Sequence, residues 1–214
     1  MNSFRFIDRE LNRLYPKPKP FLEFKTRYQL LVAVILSAQC TDARVNNVTR
    51  KLFASRPGPQ SILELGSVGL IGYIRSCGYF NSKAKHILAM TKILVEKYKG
   101  EVPEAFDELV KLPGVGEKTA GVVLSQGFGI PAFPVDTHVF RLAHRLGLSK
   151  NKNPDKVSAD LKKHFPKKRW IDLHMQIIMH GRQVCFARRP DCSNCTLLPV
   201  CPEGKRRTAG LRVD

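Results

Sequence analysis

Acidic residues are in short supply in this sequence. Eighteen Asp and Glu face 36 Lys and Arg across 214 residues, a formal charge of +18. A folded domain does not need that imbalance and is strained by its self-repulsion. It points to a polyanionic partner, nucleic acid first and an anionic membrane surface second, with a generally basic proteome as the competing explanation. Long apolar runs are also missing. The most apolar stretch, YQLLVAVILSA at 28–38, is too short to span a bilayer and reads as a buried helix. The N-terminus, MNSFRFIDRELNRL, carries charge throughout and has no apolar core, which excludes a signal peptide. These absences place the protein in the cytosol, nucleoid-associated if bacterial, or in the nucleus if eukaryotic. No strand-like alternation, internal repeat, low-complexity tract or coiled-coil pattern is visible, so the chain is expected to be all-helical and monomeric.

What is present is a succession of helix signals in a chain that is 43% hydrophobic. Helices are expected at 4–14, 27–39, 42–54, near 61–65 and 67–76, from Asn81 or Ser82 to Tyr98, near 104–111 and 117–127, from Asp136 or Thr137 to about 146, at 154–164 and at about 167–184. Ala84, Ile87, Leu88, Thr91, Leu94, Val95 and Tyr98 give the clearest helical spacing, closed by Gly100. Val139, Phe140, Leu142, Ala143 and Leu146 form the apolar side of another helix, and Pro154 suits a first helical turn. FGIPAFP, 128–134, interrupts the helices and marks a domain boundary near Pro131 or Pro134.

LPGVG at 112–116 joins two of these helices. Its glycines allow close backbone approach and leave amides bare beside a helix N-terminus, where an anion such as a DNA phosphate is favoured. A plain turn between helices accounts for the same residues. Lys118 follows on the first helical turn. An ordinary lysine, with a pKa of about 10.4, is neutral in only roughly one copy in a few thousand at pH 7. A helix N-terminus, neighbouring cations and burial all lower that pKa, and a neutral amine can attack a sugar aldehyde carbon to form a Schiff base. Asp136, in VDTHVFR, reads either as a helix N-cap or as a carboxylate that assists such a lysine.

Four of the six cysteines lie close together as C-x6-C-x2-C-x5-C: Cys185, Cys192, Cys195 and Cys201. In a reducing compartment this spacing argues for metal, and four thiolates suit zinc or a [4Fe–4S] cluster. Arg188, Arg189, Lys205, Arg206 and Arg207 surround the run, as a phosphate-facing loop or as a solvated tail. Cys40 and Cys77 read as core thiols.

Taken in order, LLVAVILSAQCTD (30–42), NSKAKHI (81–87), GEVPEAFDELVKLPGVGEKTAGVVL (100–124), VDTHVFRLAHRLGL (135–148), MHGRQVC (179–185) and the four-cysteine run resemble the endonuclease III family of base-excision DNA glycosylases, in the helix-hairpin-helix superfamily. The resemblance covers nearly the whole chain. It implies two all-α lobes with DNA in the cleft: 22–130, with six helices and the hairpin, and 1–21 plus 131–214, with a [4Fe–4S] cluster on Cys185, Cys192, Cys195 and Cys201. By the same resemblance Lys118 attacks C1′ of a damaged nucleotide and displaces the base, and Asp136 assists it. The strand is then cut 3′ to the lesion by β-elimination. The substrates would be oxidised pyrimidines in duplex DNA, flipped out of the stack. Gln39 would fill the space left by the flipped base, and Tyr79 in SCGYFNSK would wedge the duplex. Relatives often carry aliphatic residues on both sides of the wedge glycine, where this sequence has Cys77 and Tyr79 around Gly78. Gly114, Val115, Gly116, Arg141 and Arg188 complete the expected DNA contacts.

Overall fold

The computed structural model describes residues 3–209, and all regular structure among them is helical. The chain forms two compact units, Pro20–Ile130 and the segments on either side of it.

In the first unit the helices are α2 (Arg27–Ser37), α3 (Asp42–Ser55), α4 (Pro59–Ile74), α5 (Phe80–Tyr98), α6 (Phe106–Leu109) and α7 (Glu117–Val123); the second holds α1 (Ser3–Leu14). Every residue of α2 from Tyr28 to Leu36 is buried, so this helix shows no polar face and runs through the middle of its lobe. It packs against α3, α5 and α7. Thr26 caps its start by accepting from the Gln29 amide at 3.2 Å, and Thr41 caps α3 in the same way. A polar link inside this core joins the Tyr28 hydroxyl to Thr91 Oγ1 at 2.8 Å, and Thr91 donates on to the Ile87 carbonyl at 2.6 Å.

The helices expected near 61–65 and 67–76 are there as two segments of α4 that meet at Gly66, whose φ of 66° breaks the helical path. Two departures from the sequence expectation are local in cause. The helix expected at 104–111 shrinks to the single turn Phe106–Leu109. The one expected at 117–127 widens after Val123 into a π-helical turn, Leu124–Phe128.

The second unit adds α8 (Thr137–Arg145), α9 (Pro154–His164), α10 (Trp170–Gln183) and α11 (Pro202–Ala209). Helix α1 packs on α10, and α8 contacts α9, α10 and α11. Residues 167–169 form a tight lead-in turn before α10. Helix α11 takes up the basic stretch that the sequence left open as a phosphate-facing loop or a solvated tail. Glu203 ties it together by accepting from Arg206 at 2.9 Å and from Arg207 at 2.7 Å. Much of this unit is joined by polar contacts. Arg169 pairs with Asp8 at 3.0 Å and donates to Gln176 Oε1 at 2.9 Å, and Gln176 donates to the Tyr15 carbonyl at 2.9 Å.

Candidate functional site

The LPGVG turn is closed by the Val115 amide, which donates to the Leu112 carbonyl at 3.0 Å. The Leu112 and Val115 side chains are buried in the core of the first unit. Val115 is therefore the anchor of the turn: its side chain points inward and its amide is spent. Gly114 is exposed, with φ 79°, and a Cβ there would meet His86 Cβ at 2.9 Å. Backbone conformation and crowding both demand glycine at this point. Gly116 differs. Its φ of −89° suits any residue, a Cβ would meet nothing within 4 Å, and as the N-cap of α7 it supplies no side-chain bond. The amides of Gly114 and Gly116 find no acceptor among the described residues. The turn thus offers bare, solvent-facing donors next to the positive end of a helix. Lys118 stands exposed on the first turn of α7, and no carboxylate among the described residues pairs with it.

Gln39 and Tyr79 are both exposed and both left-handed, with φ of 52° and 57°. Tyr79 is also the N-cap of α5, which is why that helix begins earlier than its polar residues Asn81 and Ser82 suggest. Cys77 is fully buried, and burial together with a hydrogen bond shared with Cys40 pushes its thiol up to about 11. Of the two residues flanking Gly78, only Tyr79 reaches outward.

In the second unit Asp136 is the N-cap of α8. Its Oδ1 accepts from the Val139 amide at 2.7 Å, while Oδ2 has no protein partner among the described residues. Burial lowers the pKa of the nearby His138 imidazole, opposed by Asp136 and reinforced by Arg141 and Arg182. Arg141 donates to the carbonyls of Gly181 at 2.8 Å and Cys185 at 3.0 Å, so its guanidinium is committed to joining α8 to the end of α10. Arg188 is exposed, next to Arg189 with its φ of 51°.

Cys185, Cys192, Cys195 and Cys201 line a single pocket with Leu142, Arg145 and His180. Arg145 donates to Cys185 Sγ at 3.3 Å and to the carbonyls of Phe186 and Ala187 at 2.7 and 2.9 Å. His180, 2% exposed, places Nε2 3.4 Å from Cys195 Sγ and Nδ1 3.4 Å from the Tyr15 hydroxyl. Burial pushes the Cys195 thiol up to about 11, and burial and the neighbouring cysteines raise Cys192 and Cys201. Thiols so placed become thiolates only beside a compensating positive centre. The four cysteines face one space, and four thiols around one space are a donor set that fits a [4Fe–4S] cluster or zinc. Sequence patterns did not single out Arg145 or His180, because their partners lie far along the chain.

A family profile described as HhH-GPD superfamily base excision DNA repair protein matches residues 32–167. The chain is 51% identical to the endonuclease III of Rickettsia conorii over 186 residues, covering 87% of this chain and 89% of that protein. It is 44% identical to the endonuclease III of Escherichia coli K12, covering 87% and 88%. Among solved structures it is similar to the protein of a non-covalent endonuclease III–DNA complex, with 42% identity, a TM-score of 0.93 and coverage of 98% and 99%. It is similar also to the protein of a trapped endonuclease III–DNA covalent intermediate, with a TM-score of 0.92, 42% identity and coverage of 97% and 99%.

Proposed function

The chain belongs to the endonuclease III family of the HhH-GPD superfamily and is a base-excision DNA glycosylase and AP lyase; from that premise we propose that it removes oxidised pyrimidines from duplex DNA through a Lys118 Schiff base. The observation that carries this reading is an exposed lysine with no carboxylate partner among the described residues, on the helical turn directly after a glycine loop whose amides find no acceptor among them.

The chemistry proceeds in three steps. The Gly114 and Gly116 amides hold a backbone phosphate without reading sequence. The neutral Lys118 amine attacks C1′ of the extruded nucleotide, and the C1′–N bond breaks as the base leaves with its electron pair. The ring opens to an iminium, a proton is lost from C2′, and the C3′–O bond breaks, which severs the strand on the 3′ side. Asp136, with Oδ2 unpaired, stabilises the positive charge developing on the sugar. Gln39 fills the space vacated by the base, and Tyr79 stacks into the duplex. The protein works as a monomer on DNA that contains a damaged base or an abasic site.

Cys185, Cys192, Cys195 and Cys201 would hold a [4Fe–4S] cluster, with Arg145 and His180 hydrogen-bonded to the sulfurs. Such a cluster would cross-link the 185–201 loop through its four thiolates. Arg188 lies exposed on that loop for phosphate contact.

Borohydride trapping on a duplex carrying thymine glycol tests the reading. Wild type should yield a covalent protein–DNA adduct, and Lys118→Gln none. A wild type that traps nothing and leaves the strand intact overturns it. Iron and sulfide analysis of protein purified without air, expected to be yellow-brown, tests the cluster.

A further inference from the structure

Lys83 sits on the first turn of α5 and is 5% exposed. Its Nζ donates to the carbonyls of Leu36 at 2.8 Å and Ala38 at 2.7 Å. No carboxylate among the described residues pairs with it. Lysines are rarely this buried, and a buried cation without an anionic partner is costly. The compensation here comes from the last turn of α2, where otherwise orphaned carbonyls carry partial negative charge. The Lys83 amide also donates to the Tyr79 carbonyl at 3.0 Å. One residue therefore grips both turns that carry an exposed left-handed side chain: 36–40 with Gln39, and 77–80 with Tyr79. The two turns are neighbours, since a Cβ on Gly78 would lie 3.6 Å from the Gln39 carbonyl oxygen.

An apolar side chain could fill this space without the desolvation cost. What the ammonium adds is a fixed relation between two turns distant in sequence. We infer that Lys83 is a positioning residue for base extrusion: its buried ammonium and its amide hold Gln39 and Tyr79 in register, so that the two side chains enter the duplex together. This rests on the function proposed above, in which those residues meet the DNA.

The test compares base extrusion with chemistry on DNA that needs none. The substrates are a thymine glycol duplex with 2-aminopurine beside the lesion, and a duplex with a ready-made abasic site. Lys83→Met keeps the length of the side chain and removes its donors. It should slow the fluorescence rise and base excision by about tenfold, the scale of one lost charge-assisted hydrogen bond. Cleavage at the ready-made abasic site should fall by a clearly smaller factor. Adding Gln39→Ala to Lys83→Met should cost much less than Gln39→Ala alone, because the two residues act as a unit. Should Lys83→Met be too unstable to purify, Lys83→Gln carries the same comparison. Equal losses on the two substrates, no loss on either, or multiplicative losses in the double variant overturn the role of Lys83 alone. A wild type that neither extrudes nor excises overturns the proposed function with it.

Discussion

The two units of this protein are built on different principles. Pro20–Ile130 is organised around an apolar helix, α2, buried from Tyr28 to Leu36, with the Tyr28–Thr91 pair and the Lys83 ammonium among the polar links within its core. The unit formed by the flanking segments also has an apolar centre, including Ile7, Leu11, Leu142 and Leu173, but polar cross-links tie its helices together. Arg169 joins Asp8 to Gln176, Gln176 reaches Tyr15, Arg141 binds two carbonyls beyond α10, and Arg145 and His180 contact cysteine sulfurs. An apolar core is non-directional and tolerates some repacking. Polar networks are directional, and each loses more when one partner is removed than it gains when made. The lysine turn thus belongs to the unit centred on an apolar helix, while Asp136 belongs to the unit whose helices are tied by polar cross-links.

The most severe break of this contrast is Cys195→Ser. Amide hydrogen exchange should show loss of protection over residues 170–209 while 20–130 keeps its own. Equal loss in both units would erase the distinction. Next comes Leu31→Ala, which leaves a void in a fully buried helix and should cost about 2–5 kcal/mol, read as faster exchange confined to 20–130. Replacing Arg169 by Met leaves Asp8 and Gln176 without their guanidinium and should cost roughly 1–3 kcal/mol, this time in the other unit. The mildest probe is pH. Burial holds the His138 pKa below its ordinary value, so the folded state favours the neutral ring. The unfolded chain binds the proton first, and stability present above about pH 6.5 is lost as pH falls below that value toward the folded one. Protection in the second unit, taken relative to the intrinsic exchange rate at each pH, should fall between about pH 6.5 and 5.5, and His138→Gln should flatten part of that change.

How much of this was legible in the sequence depended on range. Asp136 and Pro154 act as local punctuation, and the structure puts them at the N-cap of α8 and the first position of α9. The continuous apolar run at 28–38 announced a buried helix because no polar face was present to orient it. Tyr79 was not legible as a left-handed N-cap, since a tyrosine gives no local sign of positive φ. Helix α11 could have been found from Glu203 with arginines three and four residues on, a helical spacing obscured by the basic tail around it. The burial of Lys83 and the carbonyl contacts of Arg141 arise from partners 40 or more residues away, and no window along the chain contains them. The glycines of the hairpin were visible, but not the difference between them: Gly114 is required by its φ and by His86, Gly116 by neither.

The left-handed residues Gln39 and Tyr79 carry a further consequence. A side chain with a Cβ pays roughly 1 kcal/mol for that conformation, and glycine would not. Laboratory evolution for heat resistance alone should therefore drift toward glycine at both positions. An assay of folding would record only a gain, while the proposed roles of the two side chains in the duplex predict slower base excision.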